Sequence, residues 1–271
     1  MPWPVPGQTT SPAESRGSRV DGMLKRLLAR LIEARGYRLV PDDPNVYSAD
    51  GLTTVHNHDF LHEPAFVRAY ERGVAAARED YDWQWRVHIG LWAASSAARL
   101  DGDFVECGVN RGFLSSAIME LLDWDTLGKT FWLLDTFAGV DETILSPAER
   151  EHVQRRPERA GTSYVDGVES AQRNFATWNN VRIIVGSVPS TLDQIDAETI
   201  AYLHLDMNSS TPEVAALDAL WPRLTRGAVV LFDDWGYRGF EPQHEAMSSC
   251  ARDHELPIAS LPTGQGLLLK P

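Results

Sequence analysis

Only two cysteines, Cys107 and Cys250, occur in 271 residues. Two thiols cannot build the disulfide framework of a small secreted domain, and they lack the paired spacing of a metal site. Positive charge is also scarce, with 25 Lys and Arg against 38 Asp and Glu and a formal net charge of −13. That balance argues against a clustered basic face for phosphates, so no nucleic-acid partner is expected. No apolar run approaches the roughly 20 residues that cross a bilayer, so no membrane partner is expected either. The opening stretch up to Arg19 has no apolar signal core. Its Pro, Ser, Thr and Gly content predicts a disordered leader over residues 1–19. Together these absences predict a reduced, cytoplasmic protein.

The rest of the composition, 43% hydrophobic and 23% charged, is that of a globular chain able to bury a substantial core. Apolar residues recur at helical spacing over Val20–Ala34 and stop at Gly36. The stretch YRLVPDDPNVYSADGLT, broken by prolines and an Asp-Gly pair, reads as loop. Two more helices are predicted over Glu63–Asp80 and Trp83–Leu100, so residues 20–100 read as an N-terminal helical cap. From Asp101 onward strands and helices alternate. The strands are FVEC, TFWLLD, VRIIVG, IAYLHLD, GAVVLFDD and two more around PTGQG, with helices between most of them. This pattern predicts an α/β domain over residues 101–271, a mostly parallel sheet covered on both faces and closed by an antiparallel pair.

In a doubly wound sheet, ligands bind beyond the carboxyl ends of the strands, where the strand order reverses. Glu106, Gly108 and Gly112 fall there, between the strand FVEC and the helix LSSAIMELL. The glycines let the backbone turn tightly and approach a ligand, but the pattern is E-x-G-x-x-x-G and not the dinucleotide G-x-G-x-x-G. An acid at Glu106 disfavours a pyrophosphate and suits a cationic ligand. Asp135 ends the next strand, where an acid typically accepts ribose hydroxyls. A nucleoside with a positive centre and no phosphates describes S-adenosylmethionine. The alternative is a generic strand–turn–helix with capping acids.

Three more acids stand at strand ends: Asp206 after YLHL, and Asp233 with Asp234 after VVLF. If those strands are neighbours the carboxylates converge and repel, a conflict that Mg²⁺ would relieve. Helix capping by Asp206 and Asp234 is the alternative. His244, at the start of the helix EPQHEAM, is a candidate base. Trp235 is a candidate wall of the acceptor pocket, and the charged stretch Thr136–Gly161 is a candidate lid.

With these residues identified, the blocks DGDFVECGVNRGFLS, LLDTFAG, GSVPSTL, HLDMNSSTPEVAALDALWPRL and VVLFDDWGYRG resemble, in order, the macrocin O-methyltransferase family. The resemblance implies a Rossmann-like class I methyltransferase fold with a seven-stranded sheet. It also implies S-adenosylmethionine and Mg²⁺ as cofactors, and transfer of a methyl group to a small-molecule hydroxyl, typically on a sugar of an antibiotic. It assigns Glu106, Gly108, Gly112, Asp135 and Ser187 to the cofactor, Asp206, Asp233 and Asp234 to the metal, and Asp206 to the base. A homo-oligomer is expected on the same ground. The interval from Asp206 to Asp233 and Asp234 also resembles that of catechol O-methyltransferases, but DMNSST lacks their lysine base. A nicotinamide-dependent oxidoreductase and a non-catalytic cofactor-binding relative are the competing classes.

Overall fold

The computed structural model describes residues 27–37, 45–147, 149–151, 167–253 and 255–271. The chain forms two compact units, residues 1–46 and 47–271. In the first, residues 27–33 are helical and a turn closes at Gly36 with φ +82. This is the C-terminal part of the helix expected over Val20–Ala34. The expected leader lies outside the described residues.

The second unit opens with a hairpin, β1 (Tyr47–Ala49) and β2 (Leu52–Thr54). This corrects the expectation of loop across YSADGLT. Asp50 and Gly51 take φ +48 and +74, the backbone of the two-residue turn that joins antiparallel strands. The Asp-Gly pair is therefore the tip of a hairpin. Helices α1 (Pro64–Ala77) and α2 (Gln84–Ala97) follow, each within three residues of its expected bounds. Proline opens α1 and Arg78, in the left-handed conformation, ends it.

Alternation then begins: β3 (Asp103–Cys107), α3 (Phe113–Leu121), β4 (Phe131–Asp135), α4 (Val168–Phe175) and β5 (Val181–Val185). After these come β6 (Ile200–Leu205), α5 (Ser210–Leu220), β7 (Leu224–Phe232) and α6 (Glu241–Asp253). Strands β8 (Ala259–Ser260) and β9 (Gly266–Leu269) finish the chain. The seven strands β3 to β9 form one sheet in the order β5-β4-β3-β6-β7-β9-β8. Strands β3 to β7 are parallel, and β9 pairs antiparallel with both β7 and β8. The expected architecture is met, strand by strand.

Alternate residues along each strand feed two cores, because successive side chains point to opposite faces. Phe104, Phe131, Leu133, Tyr202, Val229 and Leu231 join one core with residues of α1, α2 and α3. Val105, Leu134, Leu203, Leu205, Val230 and Phe232 join the other with residues of α5 and α6. Residues 60–97, expected as a cap, thus supply the layer that covers one face of the sheet. Cys107 is fully buried in the second core, and burial pushes its thiol up, as suits a packing residue.

The order reverses between β3 and β6: β4 and β5 continue to one side, β6 and β7 to the other. The crevice beyond the carboxyl ends of β3 and β6 is where such a fold receives a ligand.

Candidate active site

A cavity of about 1010 Å³ opens at that crevice. Glu106, Gly108, Asp135, Ser187, Asp206, Asp233 and Asp234 all line it, so the fold brings together seven of the nine residues singled out in the sequence. Gly112 and His244 are not among the lining residues.

The turn from β3 into α3 is built around Gly108. Its φ is +93, and a Cβ there would stand 1.9 Å from the main-chain oxygen of Asp206, so only glycine lets the ends of β3 and β6 approach this closely. Gly112 serves packing. It is the N-cap of α3, and a Cβ would strike the ring of Phe175 at 2.3 Å. Asp135 holds the same turn by hydrogen bonds. Its Oδ2 accepts the amides of Val109 and Asn110, both at 2.7 Å, and its Oδ1 accepts the amide of Phe137 at 2.7 Å. The Thr136 hydroxyl, 3.4 Å from Oδ1, gives its proton to the Gly139 carbonyl at 2.6 Å. A carboxylate has about four acceptor positions, so Asp135 is nearly saturated by its own protein. Ser187, just beyond β5, directs its hydroxyl to the Val188 carbonyl at 3.4 Å.

Along the cavity wall, the ends of three neighbouring strands carry a buried polar chain. Glu106 on β3 lies opposite His204 on β6, and its Oε1 accepts from His204 Nδ1 at 2.9 Å. His204 Nε2 stands 3.8 Å from Asp233 Oδ1, too far for a hydrogen bond but close enough for charge attraction. Burial opposes a charge on His204, yet Asp233 and Glu106 outweigh it and lift the imidazole to about 10. Asp233 continues into Arg86 on α2, whose Nη1 donates to its Oδ2 at 2.5 Å and to its main-chain oxygen at 3.1 Å. Burial disfavours the charge on Asp233, but Arg86 beside it holds the carboxyl well below the usual range.

Asp206 and Asp233 are the first residues past adjacent strands: the Asp206 amide bonds the Cys107 carbonyl, and the Asp233 amide bonds that of Leu205. The strands are neighbours, as the converging-acid expectation required. Burial, reinforced by Asp233, raises Asp234 to about 7, and burial with Asp233 and Asp234 raises Asp206 well above its ordinary value. Two proton-hungry carboxylates thus face the cavity. The third is spoken for, since Gln265 also donates to Asp233 Oδ1 at 3.1 Å. Among the described residues no group of three or more His, Cys, Asp or Glu is arranged to hold a metal ion. Asp233 is held in an ion pair with Arg86, while Asp206 and Asp234 bind their protons more tightly than ordinary carboxyls.

His244 does not line the cavity. Its Nδ1 bonds the Trp235 carbonyl at 2.8 Å, and its ring stands 4.3 Å from that of Trp235. Trp235 is itself buried in the second core. One residue earlier, Gln243 does reach the cavity; its Nε2 donates to Glu213 Oε2 at 2.6 Å, and Glu213 Oε1 accepts the Met207 amide at 3.0 Å. Of the expected lid, Val140, Asp141, Ile144, Glu149 and Glu151 line the cavity, and residues 152–161 lie outside the described residues. Glu149 ties this segment to the start of α5 by accepting the amides of Ser146 and Ser210 at 2.8 and 2.6 Å.

Sequence reasoning missed Arg86 and His204. Each left a signal: a charge inside the apolar helix QWRVHIGLWAA, and a polar residue inside the apolar strand IAYLHL. A buried ionisable group requires a partner, and here each required the other's neighbour.

A sequence profile of the macrocin-O-methyltransferase (TylF) family matches residues 92–258. Among curated proteins, the chain is 30% identical over 140 residues to the 8-demethyl-8-(2,3-dimethoxy-alpha-L-rhamnosyl)-tetracenomycin-C 4'-O-methyltransferase of Streptomyces olivaceus, covering 49% of this chain and 53% of that protein. It is 26% identical over 199 residues to the demethyldecarbamoylnovobiocin O-methyltransferase of Streptomyces niveus, covering 66% and 72%. It is 27% identical over 200 residues to the mycinamicin III 3''-O-methyltransferase of Micromonospora griseorubida, covering 66% and 75%. The first of these matches spans about half of the relative's length. Among solved structures, the O-methyltransferase NovP superposes with a TM-score of 0.59 at 22% identity, covering 68% of this chain and 79% of that one. The calicheamicin methyltransferase CalS11 superposes with a TM-score of 0.52 at 16% identity, covering 84% and 99%. These two likenesses are of fold. The sequence match, over more than half of the chain, settles the family: this chain belongs to the macrocin O-methyltransferases.

Proposed function

We propose that the protein is an S-adenosylmethionine-dependent O-methyltransferase acting on a hydroxyl of a small molecule, a sugar of a secondary metabolite being the acceptor class that its relatives' names support. The observation that carries this reading is that Asp206 and Asp234 line the same cavity as the glycine turn at the strand-order reversal. The turn at Gly108, the free oxygen of Glu106 and Ser187 would hold the cofactor. Asp135 would act chiefly by fixing the turn that receives it. A homo-oligomer in the cytoplasm remains our expectation, to be checked by sedimentation.

Methyl transfer is an in-line displacement. The acceptor oxygen attacks the methyl carbon, the carbon–sulfur bond breaks, and the sulfonium becomes a neutral thioether. A neutral alcohol is a weak nucleophile, so its proton must leave as the bond forms. Asp206 and Asp234 suit that task, because a carboxylate whose pKa has been raised towards neutrality takes a proton more readily than an ordinary one. Holding both reactants in one cavity near attack distance contributes on the order of 7–11 kcal/mol. Mg²⁺, implied by resemblance, would need Asp206, Asp233 and Asp234 together; with Asp233 paired to Arg86 the donor set does not fit, and no step is derived through the ion.

Calorimetric titration with S-adenosylmethionine and with a nicotinamide dinucleotide tests the class. The reading predicts binding of the first alone; binding of the dinucleotide alone would replace it with the oxidoreductase class.

A further inference from the structure

The acid cluster at the ends of β6 and β7 already contains a cation. Arg86 comes from α2, before the segment that matches the family profile, and is only 5% exposed. Besides its two bonds to Asp233, its Nε donates to Asp50 Oδ2 at 3.2 Å and its Nη2 to the Thr263 carbonyl at 3.3 Å. The rings of Tyr237 and Trp83 lie 5.0 and 5.5 Å from the guanidinium carbon. Asp50 is held in turn by the Tyr237 hydroxyl at 3.0 Å. The planar fork of an arginine fits this set of fixed acceptors, and its charge is permanent.

A divalent ion that recruited Asp233 would have to sit against this buried guanidinium, two like charges in close approach. Moving Asp233 towards the ion would instead strip a buried arginine of a partner. We propose that Arg86 is the resident cation of the cluster, holding Asp233 as its counter-ion, and that the site works without a divalent metal ion. In this arrangement Arg86 is a positioning residue: it fixes Asp233 and the tip of the β1–β2 hairpin, and leaves Asp206 and Asp234 to meet the acceptor hydroxyl. The inference rests on the methyltransferase reading only for what the site does, and its test does not need turnover.

The test is a titration of the full-length protein with Mn²⁺, followed by the paramagnetic resonance of the free ion. The wild type is expected to leave the free signal unchanged. Arg86→Gln removes the permanent charge and frees Asp233 Oδ2, with Gln265 and His204 still at Oδ1, and Mn²⁺ should bind at least about tenfold more tightly than to the wild type. One equivalent of Mn²⁺ bound by the wild type and lost in Asp206→Asn would overturn the proposal. So would a folded Arg86→Gln protein, judged by its melting transition, that gains no affinity. Should that variant fail to fold, the wild-type and Asp206→Asn titrations decide alone. Calorimetry with S-adenosylmethionine on the same samples keeps the two readings separate: cofactor binding together with stoichiometric Mn²⁺ would remove this inference and leave the methyltransferase standing.

Discussion

Burial and the neighbouring Asp233 lift the Asp234 carboxyl from an ordinary 3.8 to about 7. A carboxyl with a raised pKa in the folded state binds its proton more tightly there than in the unfolded chain. Its contribution to stability is therefore full at low pH and declines as pH rises from about 3.8 through about 7. The decline amounts to about 1.4 kcal/mol for each pH unit crossed between those two values. Asp234→Asn removes it, and should melt at a higher temperature than the wild type at pH ~8. Catalysis has the opposite sign, since a base must be unprotonated. Turnover should rise with pH to a plateau, with an apparent midpoint at or above about 7. Capping roles for these acids predict instead that Asp234→Asn melts lower at every pH. The acids themselves were legible in the sequence because each closes an apolar strand. Their division of labour was not, because it depends on an arginine 147 positions from Asp233 in the chain.

At the scale of elements, the β3–α3 turn and the β1–β2 hairpin decide the shape of the cavity. Gly108→Ala combines a left-handed backbone with a clash against the Asp206 carbonyl. It should lower stability by at least about 1–3 kcal/mol and displace the acid beside it. Denaturant unfolding, read with the rate of methyl transfer, checks both effects. Asp50→Ala should loosen the hairpin tip from Arg86 and Tyr237, raising the acceptor KM more than it lowers kcat; a fall in kcat alone would place the hairpin outside the acceptor pocket. The strands were readable from apolar runs ending in acids, and α1 and α2 from helical spacing. The hairpin was hidden because prolines precede its Asp-Gly pair and its strands are only three residues long, although that pair has the turn geometry of paired strands. The role of Gly112 was also hidden. Its neighbour, Phe175, lies on α4, and nothing in the local motif reveals which helix will pack there.

At the scale of the whole molecule, a parallel sheet with the order reversed between β3 and β6 leaves one crevice at its carboxyl edge, and the residues of five strand ends meet in it. The alternating pattern made the sheet and its antiparallel finish predictable. It could not indicate that residues 47–100 would join the same unit and deliver Asp50, Trp83 and Arg86 to the cavity. If this crevice binds S-adenosylmethionine and Asp206 serves transfer of its methyl group, the two functions should separate on mutation. Wild type and Asp206→Asn would each be incubated with methyl-labelled S-adenosylmethionine and a panel of glycosylated natural products. Label should appear in a sugar methyl ether with the wild type and be lost in Asp206→Asn, although calorimetry shows that both proteins bind the cofactor. A wild type that binds no S-adenosylmethionine, or an Asp206→Asn protein that transfers the methyl group at the wild-type rate, would contradict these assignments.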